Sequence, residues 1–237
     1  MLHIIGLGLN EKGYSREAYD IISKADKIFV ETYTIDFPYE IKSLEKQFKG
    51  KKFVLVDRNF VESMDFLKEA KKKNITLLVY GSPLTATTHI SIIQEARKNK
   101  IKYEIIHSAS VLDAVAETGL QIYKFGKIAS MPKWKKNFTP ESFIDIIKEN
   151  QKINAHTLIL TDISLDFEDA IKQIEISAKS KKIKLDKIII CQALGTKNQK
   201  ILYKKLNELK KIKIKKPYCI IIPSKLHFME EEVLRNF

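Results

Sequence analysis

The residues of this chain that could do chemistry are glycines, small hydroxyls and a few separated histidines, and six stretches carry them. Gly6-Leu7-Gly8-Leu9-Asn10 follows the first apolar run, where glycines permit a tight turn and let a ligand approach the backbone. A dinucleotide site is excluded, because the third glycine of G-x-G-x-x-G would fall at Glu11 and no helix begins until about Ser15. By itself the turn reads equally as a cofactor turn and as a plain strand-to-helix turn. Gly81-Ser82-Pro83-Leu84-Thr85-Ala86-Thr87-Thr88-His89 offers backbone and hydroxyls to a small molecule, and Thr87 or Thr88 also suits the cap of a helix starting near His89. His107-Ser108-Ala109-Ser110-Val111 has the same character, with Ser110 a ligand contact or an N-cap. His156 to Asp162 is an apolar strand ending in Thr161, and His156 reads as a satisfied structural histidine. Gln192-Ala193-Leu194-Gly195-Thr196 and Pro223-Ser224-Lys225-Leu226-His227 each close a strand. There is no P-loop and no G-x-S-x-G elbow, the histidines lack metal-ligand spacing, and the carboxylates are scattered. Hydrolytic and metal catalysis are therefore poor readings, and neither a catalytic residue nor a metal ligand stands out.

These stretches must be positioned by the elements around them, and short apolar runs alternate with amphipathic ones almost throughout, the pattern of α/β folds. The first half predicts strands at 3–7, 27–31, 53–56, 76–80 and 103–106 and helices near 16–24, 39–48, 61–73 and 90–99, enough for one doubly wound layer. A helical segment near 110–118 follows. Then come strands near 128–130, 157–161, 187–191 and 218–222 and helices near 140–150, 167–178 and 228–235. This is a second α/β unit, and the expected domains are 1–109 and 110–237. The chemistry-bearing loops lie at strand ends, where open α/β sheets build ligand sites.

At 237 residues, 44% hydrophobic and 30% charged, the chain reads as a fully folded protein. It has no long uncharged apolar run, and its apolar start is too short for a signal peptide or membrane span, so the cytoplasm is expected. Cys191 and Cys219 sit beside isoleucine runs and read as small core side chains rather than a disulfide or zinc pair. The net charge of +13 admits a nucleic-acid partner, an acidic protein partner or plain solvated surface. Only Arg16, Arg58, Arg97 and Arg235 among the 42 basic residues are arginines, which weighs against phosphate and base recognition.

Taken together, the loops resemble the diphthine synthase family, within the tetrapyrrole-methylase-like class of S-adenosylmethionine enzymes. The resemblance runs from the opening Ile-Gly-Leu-Gly-Leu through Ser15–Asp26, Glu31-Thr32-Tyr33-Thr34, Ala86-Thr87-Thr88-His89, the block from Glu117 to Gly126 and His156-Thr157-Leu158, to Leu226-His227 and the acidic Glu230–Glu232. It implies a homodimer of two-domain subunits with the cofactor in the cleft between the domains. The implied reaction is methylation, with S-adenosylhomocysteine as product, of the amino group on the modified histidine of translation elongation factor 2 in diphthamide biosynthesis. The implied cofactor contacts are Leu9, Ser82, Thr85, Ser110, Val111, Thr161, a position near Leu194, and His227. Three departures are visible: Ser82 stands where the family usually has the aspartate of Gly-Asp-Pro, Thr161 where it tends to leucine, and Cys191–Thr196 where it has Leu-Ala-Arg-Ala-Gly-Ser. A corrin-ring or ribosomal-RNA methyltransferase of the same superfamily, a family member that binds the cofactor without transferring methyl, and a non-catalytic basic nucleic-acid-binding protein are the alternatives.

Overall fold

The computed structural model describes Met1–Phe237. The chain divides into two compact units, Met1–Asp113 and Ala114–Phe237.

The first unit holds β1 Leu2–Gly6, α1 Arg16–Lys24, β2 Lys27–Glu31, α2 Ile41–Glu45, β3 Phe53–Val56, α3 Arg58–Ser63, α4 Phe66–Ala70, β4 Ile75–Val79, α5 Ile90–Lys98 and β5 Tyr103–Ile106, and reaches into the short α6 Val111–Ala114. Its five strands pair in parallel in the order β3-β2-β4-β1-β5. Successive side chains of a strand point to opposite faces, and here both faces are covered. Leu2, Ile4, Phe29, Ile75 and Leu77 pack with α3, α4 and α5, whereas Ile5, Ile28, Val30 and Leu78 pack with α1 and α2. Ser15 starts α1 by accepting the Ala18 N–H at 3.0 Å, and Glu17 and Lys24 suit the two ends of the helix dipole.

The single helix expected over 61–73 is two. Asp57 caps α3 by accepting from the Phe60 N–H at 2.9 Å, and Met64 then turns left-handed with φ 58° and ends it. The break lets Phe60 and Phe66 stack on each other at 5.7 Å and both meet Phe29 of β2, at 4.9 and 6.0 Å. Tertiary packing has overridden a helical periodicity here.

The second unit contains β6 Ala129–Met131, α7 Ser142–Lys152, β7 Thr157–Thr161, α8 Phe167–Ser180, β8 Lys187–Gln192, β9 Lys200–Lys205, α9 Leu206–Leu209, β10 Tyr218–Ile222 and α10 Phe228–Leu234, with 3-10 turns at Val115–Thr118 and Ile122–Lys124. Its sheet runs β6-β7-β10-β8-β9 and is parallel only at β6 and β7. Ile159, Ile188, Ile190 and Ile220 join Phe143, Ile147, Ile171 and Ile174 of α7 and α8 in one core. β9 was not expected, because Lys200-Ile201-Leu202-Tyr203-Lys204-Lys205 shows no clean alternation. It is an edge strand, where lysines blunt further pairing. Lys187 lies 4.9 Å over the Tyr203 ring, and Leu202 packs on the core. Cys191 and Cys219 are buried free thiols facing each other across β8 and β10.

Candidate active site

At the C-terminal end of the first sheet, the loops after β4, β1 and β5 are adjacent because their strands are adjacent. Gly6 is where they meet. A Cβ there would stand 2.6 Å from the Gly81 carbonyl oxygen, 2.9 Å from Pro83 Cδ and 3.1 Å from Ser108 Cβ. Just beyond, Gly8 and Gly81 exchange backbone hydrogen bonds of 3.2 and 2.9 Å. Gly8 adopts φ +68°, and a Cβ on it would lie 2.5 Å from the Gly13 carbonyl oxygen, so glycine is required for steric and conformational reasons together. Ser108 donates its hydroxyl to the same Gly13 oxygen at 2.9 Å, and the Tyr80 hydroxyl donates to the Leu9 carbonyl at 3.0 Å. Burial pushes the Tyr80 phenol above its ordinary range, so it remains a donor at every physiological pH.

Five of the sequence-predicted contacts gather on this rim. Leu9 is buried in the first turn, and the Thr85 N–H donates to the Ser82 carbonyl at 3.1 Å in the second. Ser110 accepts the Leu112 N–H at 3.1 Å, and its own N–H and hydroxyl go to Asp113 at 2.7 and 3.1 Å, so it does cap the turn that carries Val111. Gly81 differs from Gly6 and Gly8. Although its φ is +71°, a Cβ there would meet nothing nearer than Ala109 O and Ser110 Cα, both at 3.8 Å. A gap at least a methyl group wide therefore separates the second and third loops, bounded by main chain and small side chains.

The three contacts assigned to the second unit do not gather. Thr161 ends β7 and donates its hydroxyl to the Tyr218 carbonyl at 3.0 Å, and Leu194 follows β8 at the same end of the sheet. His227 follows β10, which runs the other way, so it lies beyond the Thr157 end of β7. Thr157 and Thr161 are four residues apart, about 13 Å at about 3.3 Å per residue.

The cap expected from Thr87 or Thr88 is not formed. His89 precedes α5 with a helical φ and makes no cap bond, while the Thr87 hydroxyl donates to the Pro83 carbonyl at 3.1 Å. His156 is fully buried and satisfied, as its sequence context suggested: its Nδ1 accepts the Ser224 N–H at 2.9 Å and its Nε2 faces Glu230 Oε1 at 3.2 Å. A backbone N–H on Nδ1 requires the proton on Nε2, and burial lowers the pKa of this ring.

Two buried carboxylates escaped the sequence reading as polar centres. Glu230 has no exposed surface and accepts from the Gln121 and His227 N–H groups, the Lys124 ammonium and His156. Burial alone would raise its pKa, but those four donors prevail and hold it down at about 2. Its signal was His227-x-x-Glu230, a capping box with histidine in the cap. Glu31, at the end of β2, is 1% exposed and faces His89, and both were known only as parts of motifs.

Comparison with known proteins agrees with these features. Residues 1–210 match the family model described as tetrapyrrole (corrin/porphyrin) methylases. A diphthine synthase of Methanococcus maripaludis is 37% identical over 249 aligned residues, covering 99% of this chain and 98% of that protein. A diphthine methyl ester synthase of Candida glabrata is 40% identical over 168 residues, covering 70% of this chain and 56% of its own length. A crystal structure of diphthine synthase superposes with a TM-score of 0.90 at 33% identity, covering 100% of this chain and 95% of that one. With its glycine-built rim and relatives matching from end to end, the chain belongs to the tetrapyrrole methylase family and, within it, to the diphthine synthases.

Proposed function

We propose that this protein transfers methyl groups from S-adenosylmethionine to the amino group of the modified histidine of translation elongation factor 2, releasing S-adenosylhomocysteine. The observation that carries the reading is the convergence of three strand-end loops on Gly6, with a main-chain gap between Gly81 and Ser110. A ligand with an adenosyl group and an amino-acid tail fits such a wall, which offers peptide groups, hydroxyls and an apolar Leu9. Leu9, Ser82, Thr85, Ser110 and Val111 hold it from the first unit. Thr161, Leu194 and His227 of the second unit are its remaining contacts in this reading, the first two from one end of their sheet and His227 from the other. Ser82 supplies a neutral hydroxyl where relatives of this family usually have a carboxylate, a weaker hold on a charged tail.

The cofactor supplies a methyl group already activated on a positively charged sulfur. The chain must hold the acceptor amine, as its free base, in line with that methyl. Nitrogen then forms its bond to carbon as the carbon–sulfur bond breaks, and the displaced proton leaves to solvent. Positioning of this kind is worth roughly 7–11 kcal/mol, so no dedicated base is required. The basic surface steers an acidic face of the protein substrate. The enzyme works in the cytoplasm, where the elongation factor is, and as a homodimer, as the family resemblance implies; no helix is long and apolar enough to cross a membrane.

The test is mass spectrometry of elongation factor carrying the aminocarboxypropyl histidine after incubation with enzyme and methyl donor. Stepwise gain of methyl mass on that residue is expected. An unchanged substrate beside an enzyme that binds S-adenosylhomocysteine would favour a member that has kept the site and lost transfer.

A further inference from the structure

Two motifs have no part in the reaction as described, Glu31-Thr32-Tyr33-Thr34 at the end of β2 and Ala86-Thr87-Thr88-His89 after β4, yet neighbouring strands bring them together. Between Ser82 and His89 the chain makes a compact coil in which Ala86 has φ +55°, a conformation that side-chain-bearing residues rarely hold without support. The support converges on one atom. The Pro83 carbonyl oxygen receives the Thr87 hydroxyl at 3.1 Å and His89 Nδ1 at 3.0 Å. A carbonyl only accepts, so Nδ1 carries the proton in this bond.

His89 is itself held from behind. Its Nε2 lies 3.4 Å from the Tyr33 hydroxyl and 3.5 Å from Glu31 Oε2, with both His89 and Glu31 1% exposed. The Tyr33 ring stands edge-on to the imidazole at 6.3 Å. Glu31 in turn is fixed by the Tyr33 N–H at 3.0 Å, the Thr34 N–H at 2.8 Å and the Thr34 hydroxyl at 2.9 and 2.8 Å. A buried acid and histidine are a costly way to fill space, since apolar residues of similar volume pack as well without desolvation. What they provide is direction, because only a donor aimed at Pro83 O holds this coil.

We propose that His89, backed by Tyr33 and Glu31, and Thr87 form a clamp on the Pro83 carbonyl that keeps Ala86 left-handed and so fixes Ser82 and Thr85 for the cofactor, as positioning residues that do not touch the reacting atoms. The inference rests on the reading of Ser82 and Thr85 as cofactor contacts and deepens it.

The experiment is calorimetric titration with S-adenosylhomocysteine, well below every melting temperature, of the wild type, Thr87→Val, His89→Ala and His89→Ala combined with Ala86→Gly. Loss of the hydroxyl in Thr87→Val should weaken binding about threefold, and loss of His89 about tenfold or more, as expected for one and for more than one directed hydrogen bond. In turnover the losses should fall on KM for the methyl donor more than on kcat. Glycine turns left-handed without support, so Ala86→Gly should recover most of the affinity lost in His89→Ala. A residue that only stabilised the domain would show no such rescue. Thr87→Val keeps the branched shape while removing the hydroxyl, and tests the clamp even if His89→Ala does not fold. Binding within about twofold of wild type in Thr87→Val, or no recovery in the double variant, overturns the clamp. A wild type that does not take up S-adenosylhomocysteine overturns the cofactor reading and the clamp with it, whereas normal wild-type binding with unaffected variants overturns the clamp alone.

Discussion

Glu230→Gln isolates the best-connected charge in the second unit. The carboxylate is entirely buried and meets the His227 N–H at 2.7 Å, the Gln121 N–H at 2.9 Å, His156 Nε2 at 3.2 Å and the Lys124 ammonium. Its pKa falls from an ordinary 4.5 to about 2, because those donors outweigh the burial that would raise it. At about 1.4 kcal/mol per pH unit, the depression is worth about 3 kcal/mol of stability at neutral pH. A depressed acid stabilises the fold fully above its unfolded pKa and loses that contribution as pH falls toward its folded one, so the window runs from about pH 5 to pH 2. By pH 3 about 2 kcal/mol should be gone. His156 acts in the same direction at higher pH: burial favours its neutral ring despite Glu230, so folding is penalised once the pH drops below the ordinary value of 6.5. Urea unfolding followed by the fluorescence of Trp134, the sole tryptophan and in the same unit, reads the relevant transition. Glu230→Gln should cost about 3–5 kcal/mol at pH 7, and the gap to wild type should close by about 2 kcal/mol between pH 5 and pH 3. Other carboxylates titrate in both proteins and cancel in the difference. A gap that stays constant over that range, or a cost below about 1 kcal/mol at pH 7, would refute the assignment of the depression to this network.

Two glycines that look alike in sequence should behave differently. Gly8→Ala sets a Cβ 2.5 Å from a carbonyl oxygen at positive φ and should lower stability by more than about 2 kcal/mol, read by thermal melting. Gly81→Ala makes only ordinary contacts, at 3.8 Å, so its stability cost should be only about 1 kcal/mol from the positive φ, yet its methyl enters the gap facing Ser110 and should cut S-adenosylhomocysteine affinity more than about tenfold by calorimetry. Lys182, exposed at φ +54° just past the end of α8, where Ile183 N–H returns to the Ala178 carbonyl, occupies the position that glycine favours. Lys182→Gly should therefore raise stability by about 0.5–1 kcal/mol in urea unfolding, with activity unchanged.

The strands of the first sheet were legible because parallel strands covered on both faces must be apolar almost continuously, as in Leu2–Gly6 and Ile75–Val79, and glycine marks where they stop. The rim loops could be named for the same reason, since each follows a strand end, whereas Leu9, Ser82, Thr85, Ser110 and Val111 within them were singled out by the family resemblance. Local pattern failed where long-range packing decided the outcome. Met64 splits a helix so that two phenylalanines reach Phe29, and the lysine-rich Lys200–Lys205 becomes a strand only because β8 offers it an edge.

What the sequence determined by itself is the set of elements and the glycine-bearing turns, because periodicity and backbone freedom are properties of neighbouring residues. Which turns meet was decided by strand order, which depends on pairings between residues far apart along the chain. So were the two buried carboxylates: Glu31 and His89 lie about half a unit apart in sequence and Glu230 and Lys124 most of one, and only the closed fold excludes water, which is what makes each pairing matter.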